Sequence, residues 1–236
     1  MIVHQGVYLP DGETHLTAWM DKAGEIVDGR GTYQIAKLRK ALSFCRGFRT
    51  AVDVGAHCGL WSMQLVKQFS SLYAFEPVEA HRECFCHNLP GLTAKWVIDD
   101  NEDRMAGASG SVGACRVDMY AYALGEQHGS IRIETAPTSS GDSRIGGPGD
   151  IPMHTLDSFA LSEVDFIKID TEGYELPILR GAAETIKRDM PVIIVEQKPG
   201  HAQHFGFRET EAVDYLLGLG YKTAAVMSGD YVMVPG

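Results

Sequence analysis

Short apolar runs alternate along this chain with longer stretches in which apolar residues recur every three or four positions. Residues 51–54, 72–75, 166–169 and 191–195 are short and mainly apolar, and they predict buried strands. Residues 60–69 place Leu60, Met63 and Val66 on one side, and residues 78–89 place Val78, Phe85 and Leu89 on one side. Residues 175–187 do the same with Leu176, Leu179, Ala183 and Ile186, and residues 209–219 with Ala212, Val213 and Leu216. Each spacing predicts a helix. Pro177 is compatible because it falls in a first turn. Strand and helix alternate from Thr50 onward, the pattern of a mainly parallel sheet with helices on both faces. Residues 221–227 and 230–234 predict a closing antiparallel pair around Ser228-Gly229.

The remaining segments are less regular. Pro10-Asp11-Gly12 is a strong turn signal, so residues 2–9 and 14–20 predict a hairpin. A lone hairpin is marginal in water, so it must pack on the main domain or on a second copy, which makes it a possible homo-oligomer contact. Ile35, Leu38 and Leu42 predict a helix through residue 44. These elements divide the chain into an extension, 1–49, and a main domain, 50–236. Residues 91–117 are rich in Gly, Ser and Asp and predict an insertion with little regular structure. Residues 117–124 and 130–135 predict two strands joined by a turn at 125–129. Residues 135–150 hold four glycines and two prolines and predict a loop.

The chain has 236 residues, 44% hydrophobic and 22% charged, which fits a folded domain with a substantial core. The net charge of −10 argues against a nucleic-acid partner, whose phosphates require cations. Five scattered cysteines do not form a disulfide framework, and Cys84-Phe-Cys86 lacks a second pair at zinc spacing. The first residues show no secretory signal, and no apolar run reaches the ~20 residues of a membrane span. Cytoplasmic localisation is therefore expected.

Ligands in such sheets bind at the carboxyl ends of the strands, which places Gly55, Glu76, Asp170 and Glu196 along one rim. Gly55 and Gly59 allow a sharp turn after the first strand. Glu76, at the end of the next strand, is positioned to accept both hydroxyls of an adenosine ribose. A dinucleotide site would need further glycines where His57 and Leu60 stand. Asp53 beside the loop suits an ammonium and not a pyrophosphate. S-adenosylmethionine carries a ribose and an α-amino group without phosphate, and fits better. A nicotinamide-dependent oxidoreductase is the weaker enzyme alternative. A non-catalytic cofactor-binding or assembly protein of the same fold is the other.

The segments VDVGAHCGLWS, AFEP with EAHRECFCHNL, YALGEQHGSIRI, HTLDSF, DFIKIDTEGYELPILRGAAETIK and PVIIVEQ together resemble the FkbM family of S-adenosylmethionine-dependent methyltransferases. The resemblance runs from about Thr50 to Gln197. It implies a Rossmann-like class I fold of the α/β type, whose seven-stranded sheet ends in an antiparallel strand. It also implies methyl transfer to a hydroxyl of a sugar, glycan or small metabolite. By motif, Asp53, Gly55 and Gly59 would line the cofactor's methionine end and Glu76 would hold its ribose; His57, where the family often has Asn, lies inside the glycine loop and is a further cofactor-binding candidate. Asp170, Glu172 and Glu175 would face cofactor and acceptor.

Transfer to a hydroxyl needs a base. Asp170 ends a strand at the crevice and Glu172 follows two residues on, so their mutual repulsion favours proton uptake by one of them. His201 lies in a loop overhanging the same rim and is a further candidate. Metal assistance would need several converging oxygen ligands, and Lys198 stands where another acid would be expected, so no metal is assigned.

Overall fold

In the computed structural model, which describes residues 1–99, 102–134 and 143–236, the first turn comes earlier than Pro10-Asp11-Gly12 predicts. Strands β1 (Ile2–His4) and β2 (Val7–Leu9) pair antiparallel around Gln5 and Gly6. Both turn residues have positive φ, 48° and 72°, as a tight hairpin requires. The expected second strand at 14–20 is instead helix α1 (His15–Ala23), because Leu16 and Met20, four residues apart, bury one stripe. Glu13 caps that helix, its Oε1 accepting from Leu16 N at 2.8 Å. A second small hairpin follows, β3 (Ile26–Val27) with β4 (Arg30–Gly31). Helix α2 (Ile35–Leu42) then buries Ile35, Leu38 and Ala41. The first hairpin packs on its own chain, with Val7 and Leu9 in the core.

From Thr50 the chain runs β5 (Thr50–Val54), α3 (Ser62–Leu65), β6 (Ser71–Phe75), α4 (Glu79–Asn88), β7 (Leu92–Asp99), β8 (Glu102–Val112) and β9 (Cys115–Tyr120). Four short strands follow, β10 (Ala123–Leu124), β11 (Gly129–Ile131), β12 (Ile133–Glu134) and β13 (Arg144–Ile145), then β14 (Ile151–His154) and a 3₁₀ turn at Leu156–Phe159. The chain closes with β15 (Val164–Ile169), α5 (Glu175–Arg180), α6 (Ala183–Asp189), β16 (Val192–Glu196), α7 (His201–His204), α8 (Glu211–Gly218), β17 (Tyr221–Met227) and β18 (Asp230–Pro235).

Nine strands form the main sheet in the order β17-β18-β16-β15-β5-β6-β9-β8-β7. The five strands β16, β15, β5, β6 and β9 are mutually parallel, and β18 runs antiparallel to β16. From β17 to β9 this is the expected Rossmann-like sheet of seven strands with the last one reversed. The two extra strands correct the reading of residues 91–117. That segment forms the antiparallel hairpin β7–β8, which extends the sheet beyond β9.

Alternate residues of the parallel strands feed two cores. Ala51, Leu72, Ala74 and Phe166 face the layer with α2, α3 and α4. Val52, Val54, Ile167 and Ile193 face the layer with α5, α6 and α8. The single helix expected at 175–187 is broken in two. Asp157 starts the second piece, its carboxylate accepting from Glu184 N, Thr185 N and Thr185 Oγ1 at 2.7–3.0 Å. The two strands expected at 117–124 and 130–135 do not pair with each other. β9 joins the main sheet, whereas β10 and β11 flank β14. Of the loop at 135–150, residues 135–142 lie outside the described residues, and β13 pairs with β12. Among the described residues no helix is long and apolar enough to cross a membrane.

Candidate active site

The parallel strands end on a common rim, and the chain leaves β5 through a turn fixed on both sides. Gly55 N and Ala56 N donate to Phe75 O at 3.0 and 3.1 Å, while Asp170 N donates to Val54 O at 3.2 Å. Gly55 has φ +73°, and a Cβ there would overlap the Asp170 carbonyl oxygen. Lys168, a lysine inside an otherwise apolar strand, closes the turn from below. Its Nζ donates to Gly55 O at 2.6 Å and lies 3.3 Å from Asp53 Oδ1.

Glu76 follows β6 directly, and its side chain turns inward beside this turn. It is only 4% exposed. Oε2 accepts from His57 N and Oε1 from Val78 N, both at 2.8 Å, and His81 Nδ1 lies 3.2 Å from Oε1. Burial works to raise its pKa, but the His81 contact and the neighbouring histidine and amide bring it down to about 2. The carboxylate is therefore charged at neutral pH. His57 has φ 51°, and its ring packs against that of His81, tilted by 45°, at 3.9 Å between centroids. Burial pushes His57 down to about 3, so it stays neutral.

Across the rim, Asp170, Glu172, Glu196, Lys198 and His201 form a charged cluster. Lys198 Nζ lies 2.7 Å from Glu196 Oε1 and 3.7 Å from Glu172 Oε1, and His201 Nδ1 lies 2.8 Å from Glu172 Oε2. Burial works to raise Asp170, but the ammonium groups of Lys168 and Lys198 outweigh it and hold Asp170 below the ordinary carboxylate range. Burial and the neighbouring Asp170 push Glu196 up to about 10. Asp170 is thus the more readily ionised of the two. Ligand atoms of Glu172, Glu196 and His201 lie within 4.8 Å of one another, a spacing that suits a metal ion. The Lys198 ammonium sits among them and supplies positive charge at that place.

One cavity spans both groups. Of the residues expected to bind cofactor, Gly55, His57, Glu76 and Asp170 line it. Asp53 and Gly59 do not. Asp53 is 0% exposed and binds Ser62 Oγ at 2.7 Å beneath the turn. Gly59 packs on α4, where a Cβ would come within 2.8 Å of Phe85 and Leu89. Glu172 lines the cavity, whereas His201 stands behind it. Glu175 is buried under the 171–173 turn, its Oε1 accepting from Thr171 N, Thr171 Oγ1 and Gly173 N at 2.9–3.1 Å. Lys198, read in the sequence only as a cation in place of an acidic ligand, also walls the cavity, as do Lys168 and His81, which were not singled out in the sequence. For Lys168 a signal was present, since a lysine in Phe-Ile-Lys-Ile must find a buried acid.

A family model described as the Methyltransferase FkbM domain matches residues 53–223. A comparison with curated proteins found no match. Among solved structures, the chain is similar to methyltransferase FkbM from Methylobacillus flagellatus, with 17% identity and a TM-score of 0.45 over 79% of this chain. It spans 43% of that protein's length. It is also similar to precorrin-6y C5,15-methyltransferase from Geobacter metallireducens, with 14% identity and a TM-score of 0.45 over 91% of this chain and 95% of the other. M. capricolum TrmK in complex with S-adenosyl-homocysteine shows 9% identity and a TM-score of 0.39, over 84% of this chain and 66% of the other. The family match covers most of the chain, including the glycine turn, Glu76 and the acidic cluster, and the chain belongs to the FkbM methyltransferase domain family.

Proposed function

We propose that the protein transfers a methyl group from S-adenosylmethionine to a hydroxyl of a sugar, glycan or small metabolite. The observation that carries this reading is Glu76, a buried and charged carboxylate on the wall of a cavity that also exposes Asp170, Glu172 and Lys198. The residues suit a phosphate-free nucleoside. Glu76 Oε2 keeps a lone pair beyond its amide partner for a ribose hydroxyl, whereas Oε1 already faces both Val78 N and His81 Nδ1. The lysines beside the glycine turn are already engaged, Lys168 by Asp53 and Lys198 by Glu196, so a pyrophosphate finds no spare ammonium there.

When bound, S-adenosylmethionine supplies a methyl group already activated on a sulfonium. The chain's part is alignment and deprotonation. Asp170, ionised and on the cavity wall, takes the proton of the acceptor hydroxyl. Lys198 lies beside the carboxyl groups of Glu196, Asp170 and Glu172, which hold it cationic against the effect of burial, and it stabilises the acceptor oxygen as the proton leaves. Glu172, bound to His201, forms a second carboxylate–imidazole pair that orients this side of the cavity. The five free thiols support a reducing compartment such as the cytoplasm. The net charge of −10 disfavours a polyanionic acceptor.

Incubating the protein with methyl-labelled S-adenosylmethionine and fractionated metabolite and glycan pools tests the reading. Label should move to a small molecule or glycan. Label in RNA instead would overturn the acceptor class, and binding without transfer to any pool would make the protein a non-catalytic relative.

A further inference from the structure

The family match begins at residue 53, yet part of the cavity wall lies before it. His15 and Leu16 on α1, and Tyr33 just before α2, line the same cavity as Gly55, His57 and Asp170. The segment that carries them is fastened to the main domain at the glycine turn itself. Asn88 on α4 is 1% exposed, and its Nδ2 donates to both Tyr8 O and Cys58 O at 2.8 Å. Its Oδ1 accepts from Tyr8 N and Arg30 Nη2 at 2.8 Å, and Arg30 Nη1 donates to Asn88 O at 2.6 Å. Cys58 belongs to the glycine turn, so one asparagine ties that turn to β2 and β4. At the far end, Lys37 on α2 forms an ion pair with Asp230, where β18 begins.

The same elements approach the site's charged groups. Glu13, which caps α1, lies close enough for its charge to act on His57. The Tyr33 hydroxyl lies within electrostatic reach of Asp170 and Lys198, and its ring packs edge-on against Trp19 at 4.6 Å. The N-terminal segment therefore covers the end of the cavity where the glycine turn meets Asp170.

We propose that residues 13–37 are part of the ligand site, with His15, Leu16 and Tyr33 contacting the methionyl end of a bound S-adenosyl cofactor. The inference rests on the methyltransferase reading above, since that reading says which ligand fills the cavity. A zwitterionic amino-acid end needs polar partners on a face shielded from water. The hydroxyl of half-buried Tyr33 and the imidazole of His15, which is itself exposed, supply them, and buried Leu16 supplies the shielding. Binding then requires the segment in place, and any opening of 13–37 must release the ligand.

Hydrogen exchange of the full chain, with and without S-adenosylhomocysteine at about 100 times its Kd, reads this directly. Amides of 13–37 should slow by up to ~100-fold, because only the closed form binds. Peptides from α8, on the opposite layer, should change far less. In calorimetry, His15→Ala and Tyr33→Ala should each weaken S-adenosylhomocysteine at least fivefold, whereas Val3→Ser, at a side chain 61% exposed, should bind as wild type. Wild-type binding with unchanged exchange in 13–37 would overturn the inference alone. Failure of the wild type to bind at millimolar ligand would overturn the methyltransferase reading and this inference with it.

Discussion

Asp170 and Glu196 are neighbouring carboxyl groups shifted in opposite directions, Asp170 down by the ammonium groups of Lys168 and Lys198 and Glu196 up by burial and by Asp170. Asp170 faces the cavity, so Asp170→Asn should abolish methyl transfer while S-adenosylhomocysteine affinity stays within about tenfold, roughly 1.4 kcal/mol. Wild-type turnover in that variant would remove its assigned role. Glu175 differs again. Burial raises it to about 7 despite the amides of Gly173 and Thr171. In the unfolded chain an ordinary Glu titrates near ~4.3. The folded protein holds a proton that the unfolded chain has released, so this stabilisation is complete below about pH 4.3 and is lost as pH rises to about 7. Measured by urea unfolding, wild-type stability relative to Glu175→Gln should fall by roughly 2–3 kcal/mol from pH 5 to pH 8. A flat difference would contradict it. The sequence motif pointed to Glu175 as a cavity acid. It could not show that the side chain bends back under its own turn. The placement of Asp53 was more accessible: Val52 and Val54 share one face of β5, which sends Asp53 to the other, beneath α3.

The parallel strands were legible because a sheet covered on both faces is apolar at nearly every position. All five residues of β5 and all five of β16 are buried. The N-terminal helix was not, since Leu16 and Met20 satisfy both a two-residue and a four-residue period, and the nearby turn signal favoured a strand. The hairpin β7–β8 was obscured by the Gly and Ser residues of β8, a strand held by ladders to both β7 and β9 rather than marked by an apolar run. The glycine turn is where element geometry matters most. Gly55→Ala places a Cβ against the Asp170 carbonyl at φ +73°, and should cost about 2–4 kcal/mol in chemical denaturation. A loss under ~0.5 kcal/mol would mean that the turn yields freely.

At the scale of the molecule, the sheet order brings two distant sequence motifs to one cavity. β5 and β6 deliver the glycine turn and Glu76, and β15 and β16 deliver Asp170 and Glu196. A mainly parallel sheet followed from strand–helix alternation, and its seven strands with a reversed last one from the family resemblance. The cover supplied by residues before 50 did not, because no local pattern reveals which cavity a helix will roof. The crevice is open, not plugged by packed side chains, and Glu76 faces it rather than bulk solvent. Calorimetric titration of the wild-type protein and Glu76→Ala with S-adenosylhomocysteine is the most direct test. The wild type should bind, and Glu76→Ala should bind more weakly by roughly 1–3 kcal/mol, the cost of losing a charged hydrogen-bond partner. Absence of wild-type binding at millimolar ligand, or unchanged affinity in a folded Glu76→Ala protein, would contradict a nucleoside held at the end of β6.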